Sequence, residues 1–343
     1  MAEAVTIQPA APGGSASVAA PAWGRWATRS LLVLAAIMCL YVGASVWAKR
    51  ADLAGASGKL PWHVIPSVIG LVFLGWGLRS LRWHYYVKRL GWPVPLHHSL
   101  LAFFASFAFT ATPGKAGEVV KSVLLRTRYN VPLADGAGVL LVERLGDLLA
   151  VLVLAAGGLT LMADGVIYFV LAVLMVGGIG ALVSSRAVYY PLLMQIERIG
   201  RLAGLADKLL RLLDTGRRLL RPAPLLAGVG IALVAWSCEG WAFHVLMRGF
   251  GVAITPVKAC SIFGIATLFG ALCASPGGVG GFEGVMLWLL SRLGLPVAAA
   301  TLPIVLFRFC TLWLTSLLGF GFLLWWRGSS RRKEAPFRIG AVG

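Results

Sequence analysis

The sequence predicts an all-α integral membrane protein. The expected architecture is a polytopic bundle of about six full spans plus two re-entrant helical hairpins, built as an inverted internal repeat. Three observations lead there. The 343 residues are 59% hydrophobic and only 13% charged, whereas soluble domains are about a quarter charged. Several apolar runs reach roughly 17 residues or more, enough to cross a bilayer core. Two Ser/Thr-Pro-Gly turns, at Thr112-Pro113-Gly114 and Ser275-Pro276-Gly277, each follow a short apolar segment and precede a glutamate.

The elements follow in chain order. Residues 1–27, rich in Ala, Pro, Gly and Ser over their first part, read as a disordered cytoplasmic N-terminus without the basic start of a secretory signal. Residues 28–326 form a single polytopic transmembrane domain, and 327–343 a basic cytoplasmic tail. The first span is 31–48. The second is 62–78, closed by Arg79, Arg82, Lys88 and Arg89. The run 96–111 is short, and Lys115, Glu118 and Lys121 follow at once. A helix continuing across would carry these charges through hydrocarbon at ~2.5–3.5 kcal/mol each. A hairpin that turns at Pro113-Gly114 and returns over 115–129 avoids that cost. Then come a long span at 133–162 and a plain one at 166–183. Segment 186–222 is basic and amphipathic, with leucines 202, 205, 209, 212 and 219 opposite Arg201, Lys208, Arg211 and Arg218. The span 225–247 holds Glu239. Segment 259–274 repeats the short apolar run, Pro276-Gly277 turns it, and 282–293 returns. The last span, 297–326, carries Arg308.

The chain repeats itself. Trp83 and Gly91 match Trp241 and Gly249; Pro113-Gly114 matches Pro276-Gly277; Asn130-Val131-Pro132 matches Gly294-Leu295-Pro296; Arg144 matches Arg308. Repeat A covers about 62–162 and repeat B about 225–326. One span separates them, so if segment 186–222 does not cross, the two units have opposite orientations.

The net charge is +18, from 31 Lys and Arg against 13 Asp and Glu. These cations lie beside apolar spans, which points to anionic lipid and to the positive-inside rule, not to nucleic acid. Segment 186–222 and both termini fall on the cation-rich side, which is then cytoplasmic. The five cysteines lie in apolar stretches without a CxxC pair, and read as core residues. His97-His98 lacks a third ligand, and the glycines at 277–284 miss the dinucleotide fingerprint at Glu283. No metal and no cofactor are implied.

Charges inside the apolar segments mark the candidate site. Lys115, Glu118 and Lys121 on the returning half-helix either meet a phosphate, aided by the helix N-terminus after Gly114, or snorkel to the interface. Glu143, Arg144 and Asp147 lie on one face region of a long span; they either staple helices or face a cavity. Arg308 has no acid beside it in sequence, so Glu283 or Glu239 across the bundle is its partner, or else it shares a cavity with Arg144. Glu239 is also a candidate for proton coupling.

These residues carry a resemblance. Thr-Pro-Gly-Lys-Ala-Gly-Glu at 112–118, Val-Glu-Arg-Leu-Gly-Asp at 142–147 and Ser-Pro-Gly-Gly-Val-Gly-Gly-Phe-Glu at 275–283, with Arg308 behind, resemble the flippase-like transmembrane family, the membrane region of lysylphosphatidylglycerol synthases. The resemblance covers roughly 28–326. It implies a multi-pass protein of the bacterial inner membrane, both termini cytoplasmic, that moves a lipid or lipid-linked headgroup between leaflets. An anionic phospholipid or polyprenyl-phosphate-linked substrate is expected. Only 17 residues follow Trp326, so the synthases' soluble domain is not expected, and no catalytic residue is assigned. The alternatives are a membrane-embedded enzyme that modifies a lipid headgroup, with Glu118 or Glu143 as base, and a scaffold whose segment 186–222 recruits a cytosolic synthase.

Overall fold

The computed structural model describes residues 62–110, 112, 117–157, 165–198, 202–273 and 275–331, all within one compact unit that begins at Val42. The N-terminal segment 1–27, the expected span at 31–48, the tail beyond 331 and the turn residues Pro113, Gly114 and Lys115 lie outside the described residues. Every regular element among the described residues is helical. We number them α1 (Ile65–Arg89), α2 (Leu96–Ser106), α3 (Val120–Tyr129), α4 (Leu133–Ala156), α5 (Gly165–Ser184), α6 (Arg186–Glu197), α7 (Ala203–Leu219), α8 (Pro222–Gly249), α9 (Pro256–Leu272), α10 (Gly281–Arg292), α11 (Val297–Arg308) and α12 (Leu314–Arg331).

Among the described residues, two helices are long and apolar enough to cross a bilayer, α8 and the run Val297–Gly328 that contains α11 and most of α12. A third candidate is the pair α5–α6, bent by 69° at Ser185. Of the six spans expected from sequence, 31–48 lies outside the described residues, and two more are missing from this number for a physical reason. Helices α1 and α4 are 25 and 24 residues long, but each carries ionised side chains along its middle. The helix does not stop where the sequence ended the second span: α1 runs on past Arg79 and Arg82 to Arg89.

Proline and glycine punctuate the chain in a recurring way. α1 has Pro66 in its first turn and α8 has Pro222. After α1 the Trp92 N–H donates to Val87 O and the Val94 N–H to Trp92 O; after α8 the Val252 N–H donates to Met247 O and the Ile254 N–H to Val252 O. Gly91 (φ 73°) and Gly251 (φ 78°) make these reversals possible in the left-handed region. The partner of Gly91 is therefore Gly251. The Trp241/Gly249 match read from sequence is two residues out of register, because Gly249 still belongs to α8. α3 ends on Asn130 (φ 53°), and Gly294 (φ 80°) follows α10. Pro132 and Pro296, both extended, then open α4 and α11.

Packing brings these elements together. α1 lies along α8, α4 contacts α7, α8 and α9, and α12 covers α2. The hairpin pairs α2–α3 and α9–α10 each fold back on themselves. Between helices in lipid there is no water to expel, so close van der Waals approach and polar contacts must hold the bundle. Small residues permit that approach. A Cβ on Gly75 would lie 2.8 Å from Ala235 O, and one on Gly319 would lie 2.1 Å from Ala108 N. Segment 186–222 is a helical hairpin, α6 against α7. α7 also leans on α4, burying Ala206, Thr215, Gly216 and Leu219, while Leu202 and Leu205 stay exposed.

Candidate functional site

Five cations and five carboxylates are drawn into the bundle and pair off there. Isolated charges in such surroundings would cost many kcal/mol, so each is matched. The longest chain of pairs runs through α1, α3 and α4. Arg82 Nη1 lies 2.8 Å from Asp147 Oδ1, and Asp147 Oδ2 lies 3.9 Å from Arg144 Nη1. Arg144 pairs closely with Glu118. Glu118 is 3.9 Å from Lys121, and Lys121 Nζ is 2.5 Å from Glu143 Oε2. The Trp236 indole N–H of α8 donates to Asp147 at 3.1 Å, so that carboxylate ties α8 to α4 and, through Arg82, to α1.

The second group anchors the distal turn. Arg308 Nε donates to Glu283 Oε1 at 2.6 Å, and its Nη2 donates to Gly277 O at 2.6 Å. The other oxygen of Glu283 accepts from Gly280 N–H at 2.6 Å and so caps α10. Arg308 also stands 4.6 Å over the Phe282 ring. A π-helical turn, Phe309–Trp313, follows it directly; such wide turns aim side chains where a regular helix would not. The third pair is Arg79 with Glu239, across the α1–α8 contact. Arg79 also lies 4.6 Å over the Trp236 ring.

The Ser and Thr of the two turns have a defined job. The Thr112 hydroxyl accepts from Gly117 N–H at 2.8 Å and donates to Phe109 O at 2.7 Å. The Ser275 hydroxyl donates to Val279 O at 2.8 Å. Each hydroxyl thereby satisfies backbone groups of its turn. Gly277, Gly278 and Gly280 all have positive φ. A lysine at Gly278, which stands where the first turn has Lys115, would be strained at φ 71° and would bring a Cβ to 3.2 Å from Gly270 O.

Between the turns lies a cavity of about 320 Å3. Arg79, Arg144, Arg308, Glu118, Asp147 and Glu239 supply its charges. Trp76, Trp236, Phe107 and Phe263 supply aromatic wall, and Thr112, Ser275, Gly277 and Gly278 bring both turns to its edge. Of the residues singled out from sequence, Glu118, Arg144, Asp147, Glu239, Gly277 and Arg308 therefore converge on one chamber. Glu283 stands behind Arg308. Lys121 and Glu143 do not line it: they are 1% and 2% exposed, locked to each other, with Lys121 4.5 Å over the Trp83 ring. His98 packs against Tyr129 and Trp326.

Sequence reading missed Arg79, Arg82, Trp76 and Trp236. The signal was available. Trp76, Arg79, Trp83 and Tyr86 recur at helical spacing, so the two arginines share the face of residues that the structure buries. Arginines that open an expected basic loop look interfacial unless that periodicity is followed past them.

Residues 26–319 match the family model described as lysylphosphatidylglycerol synthase TM region. The chain belongs to that family. It is accordingly a multi-pass membrane protein, as the resemblance of its turn motifs implied. Among curated relatives, a UPF0104 membrane protein of Methanothermobacter thermautotrophicus is 24% identical over 312 residues, 84% of this chain and 89% of the relative. A further match to a UPF0104 membrane protein of that organism is 27% identical over 107 residues, 31% of this chain and 32% of the relative. The glycosyltransferase AglD of Haloferax volcanii is 26% identical over 318 residues, 79% of this chain. This chain spans about half of that glycosyltransferase, 49% of its length.

Proposed function

We propose that this family member moves a lipid, or a lipid-linked polar headgroup, between the leaflets of the inner membrane. The observation that carries the proposal is the chamber itself: a cavity of about 320 Å3 with three arginines and three carboxylates on its walls, inside an apolar bundle and bordered by both turns. A packed bundle has no structural need for a polar void. A void lined by guanidinium groups and flanked by aromatic faces suits a phosphate-bearing headgroup whose acyl chains stay in lipid. Arg144 is the natural first contact, since its side chain is 30% exposed while that of Arg308 is 9% exposed. An entering phosphate would compete with Glu118 for Arg144, and the released carboxylate would remain near Lys121.

The inverted repeat supports alternating access. Arg79 and Glu239 are 160 residues apart in sequence and touch. Gly75 and Ala235, in contact at the same separation, and Trp76 and Trp236, both on the cavity wall, obey the same offset. Residues that meet their own counterparts lie where a pseudo-two-fold axis would pass. Rocking of one half against the other about that axis would open the chamber to each leaflet in turn. In this reading α1 and α4 also span, both termini are cytoplasmic, and Glu239 is placed to couple a proton.

The test is leaflet exchange of a labelled phospholipid in proteoliposomes. Arg144→Gln should lower the rate at least tenfold with folding intact. A rate unchanged by the substitution removes the chamber from the mechanism. The alternative of an embedded enzyme predicts a covalently altered lipid in the same vesicles, and the glycosyltransferase relative is what keeps it in view.

A further inference from the structure

A second depression, of about 360 Å3, lies at the elbow where α5 bends into α6 and shares no lining residue with the chamber. Arg186, Arg217, Arg218 and Arg221 wall it, with Asp214 as its one carboxylate and Ser184 at its edge. Asp214 is already engaged: it accepts from the Tyr189 hydroxyl at 2.7 Å and lies 4.0 Å from Arg186. Four guanidinium groups held around one carboxylate repel one another and leave an excess of three positive charges. Such a cluster is stabilised by an added anion with several acceptor oxygens, and a phosphate presents them in the geometry the guanidinium fork matches.

The surroundings identify the source of that phosphate. α5 leads into the elbow with Val166, Ile167, Leu171, Leu174 and Met175 exposed. α6 leads away from it with Val188, Leu192 and Met194 exposed. With α5 taken as the spanning segment, 20 residues long, a depression at its end comes at headgroup depth, where apolar side chains meet acyl chains and arginines meet phosphates. We propose that this elbow is a binding site for the headgroup phosphate of an anionic phospholipid, separate from the central chamber and independent of any transport through it. The ligand would fix the bend between α5 and α6 and hold α7, whose other face rests on α4.

The full chain, purified in detergent, is titrated with short-chain phosphatidylglycerol, short-chain phosphatidylcholine or inorganic phosphate, and thermal unfolding is followed by tryptophan fluorescence. Phosphatidylglycerol should raise the unfolding midpoint and phosphatidylcholine should not. Arg217→Gln with Arg221→Gln should weaken the apparent affinity tenfold or more. Lys208→Gln with Arg211→Gln, which removes the same charge from exposed positions of α7, should leave it within twofold. Equal affinity in the elbow variant, or equal loss in both variants, overturns the site. Inorganic phosphate that reproduces the whole stabilisation at the same concentration overturns the lipid assignment. Should the double variant fail to fold, Arg221→Gln alone, on the connector before α8, must weaken binding at least threefold, and unchanged binding refutes the site.

Discussion

Glu239→Gln is the most informative single perturbation, because it strips Arg79 of its partner at the crossing of α1 and α8. The side chains are 14% and 7% exposed, so neither is rescued by bulk water. Breaking a buried pair by removing one partner costs about 3–5 kcal/mol. Two features lower that figure here. The cavity wall admits some water, and Arg79 keeps its place 4.6 Å over the Trp236 ring, worth about 0.5–2 kcal/mol. The expected loss is therefore about 2–3 kcal/mol. Arg79→Gln should cost less, about 1–2 kcal/mol, since Glu239 still shares the cavity with Arg144 and Arg308. With both changed, no charge is stranded, and the loss should be near 1 kcal/mol. The resulting coupling of about 2–4 kcal/mol is a factor of roughly 30 or more in the unfolding constant. Reversible unfolding in mixed micelles, followed by tryptophan fluorescence for the wild type and the three variants, measures it. A coupling under about 0.5 kcal/mol, the level of independent sites, would mean that the pair does not join the two helices.

Three other outcomes are expected. Lys121→Met should destabilise by about 3 kcal/mol through the stranded Glu143, and Lys121→Met with Glu143→Leu should recover most of it in the same unfolding assay; no recovery would mean Lys121 serves something besides this pair. Gly75→Val should cost about 1–3 kcal/mol by wedging α1 off Ala235, whereas Gly77→Ala, with nothing within 4 Å of its added Cβ, should change the unfolding midpoint little. Arg308→Lys keeps the charge but cannot reach both Glu283 and Gly277 O, so amide exchange over 277–284 should quicken several-fold with global stability lowered by about 1–2 kcal/mol; unchanged exchange would detach Arg308 from the turn.

Much of the architecture was legible in the order of the residues. Proline fixes φ and glycine alone enters the left-handed region freely, so Pro132, Gly277 and Gly294 marked boundaries that the structure keeps. Charges within apolar runs are too costly to be idle, which drew attention to Glu118, Arg144, Asp147, Glu239 and Arg308 before any of them was seen together. What could not be read was partnership. Arg308 pairs with Glu283 across 25 residues and Arg79 with Glu239 across 160, distances at which helical spacing carries no information. Lys121 and Glu118 looked like one group, yet one side of their helix entry points into the packed core and the other to the cavity wall. Burial decides that, and it depends on Trp83 and Phe103 from other helices.

In the inverted-repeat reading proposed above, the contact between Arg79 and Glu239 has a consequence for ancestry. Were the two halves separate, identical chains, the same position would face itself across the symmetry axis, as self-complementary patches do in any two-fold dimer. Arginine would then oppose arginine, or glutamate oppose glutamate, and either pair would repel at so buried a contact. Opposite charges at one self-facing position require that the two copies differ in sequence, as two halves of one chain can. Fusion thus did more than join two halves. It made available an attraction that a symmetric pair of subunits cannot encode, at the point where the halves touch.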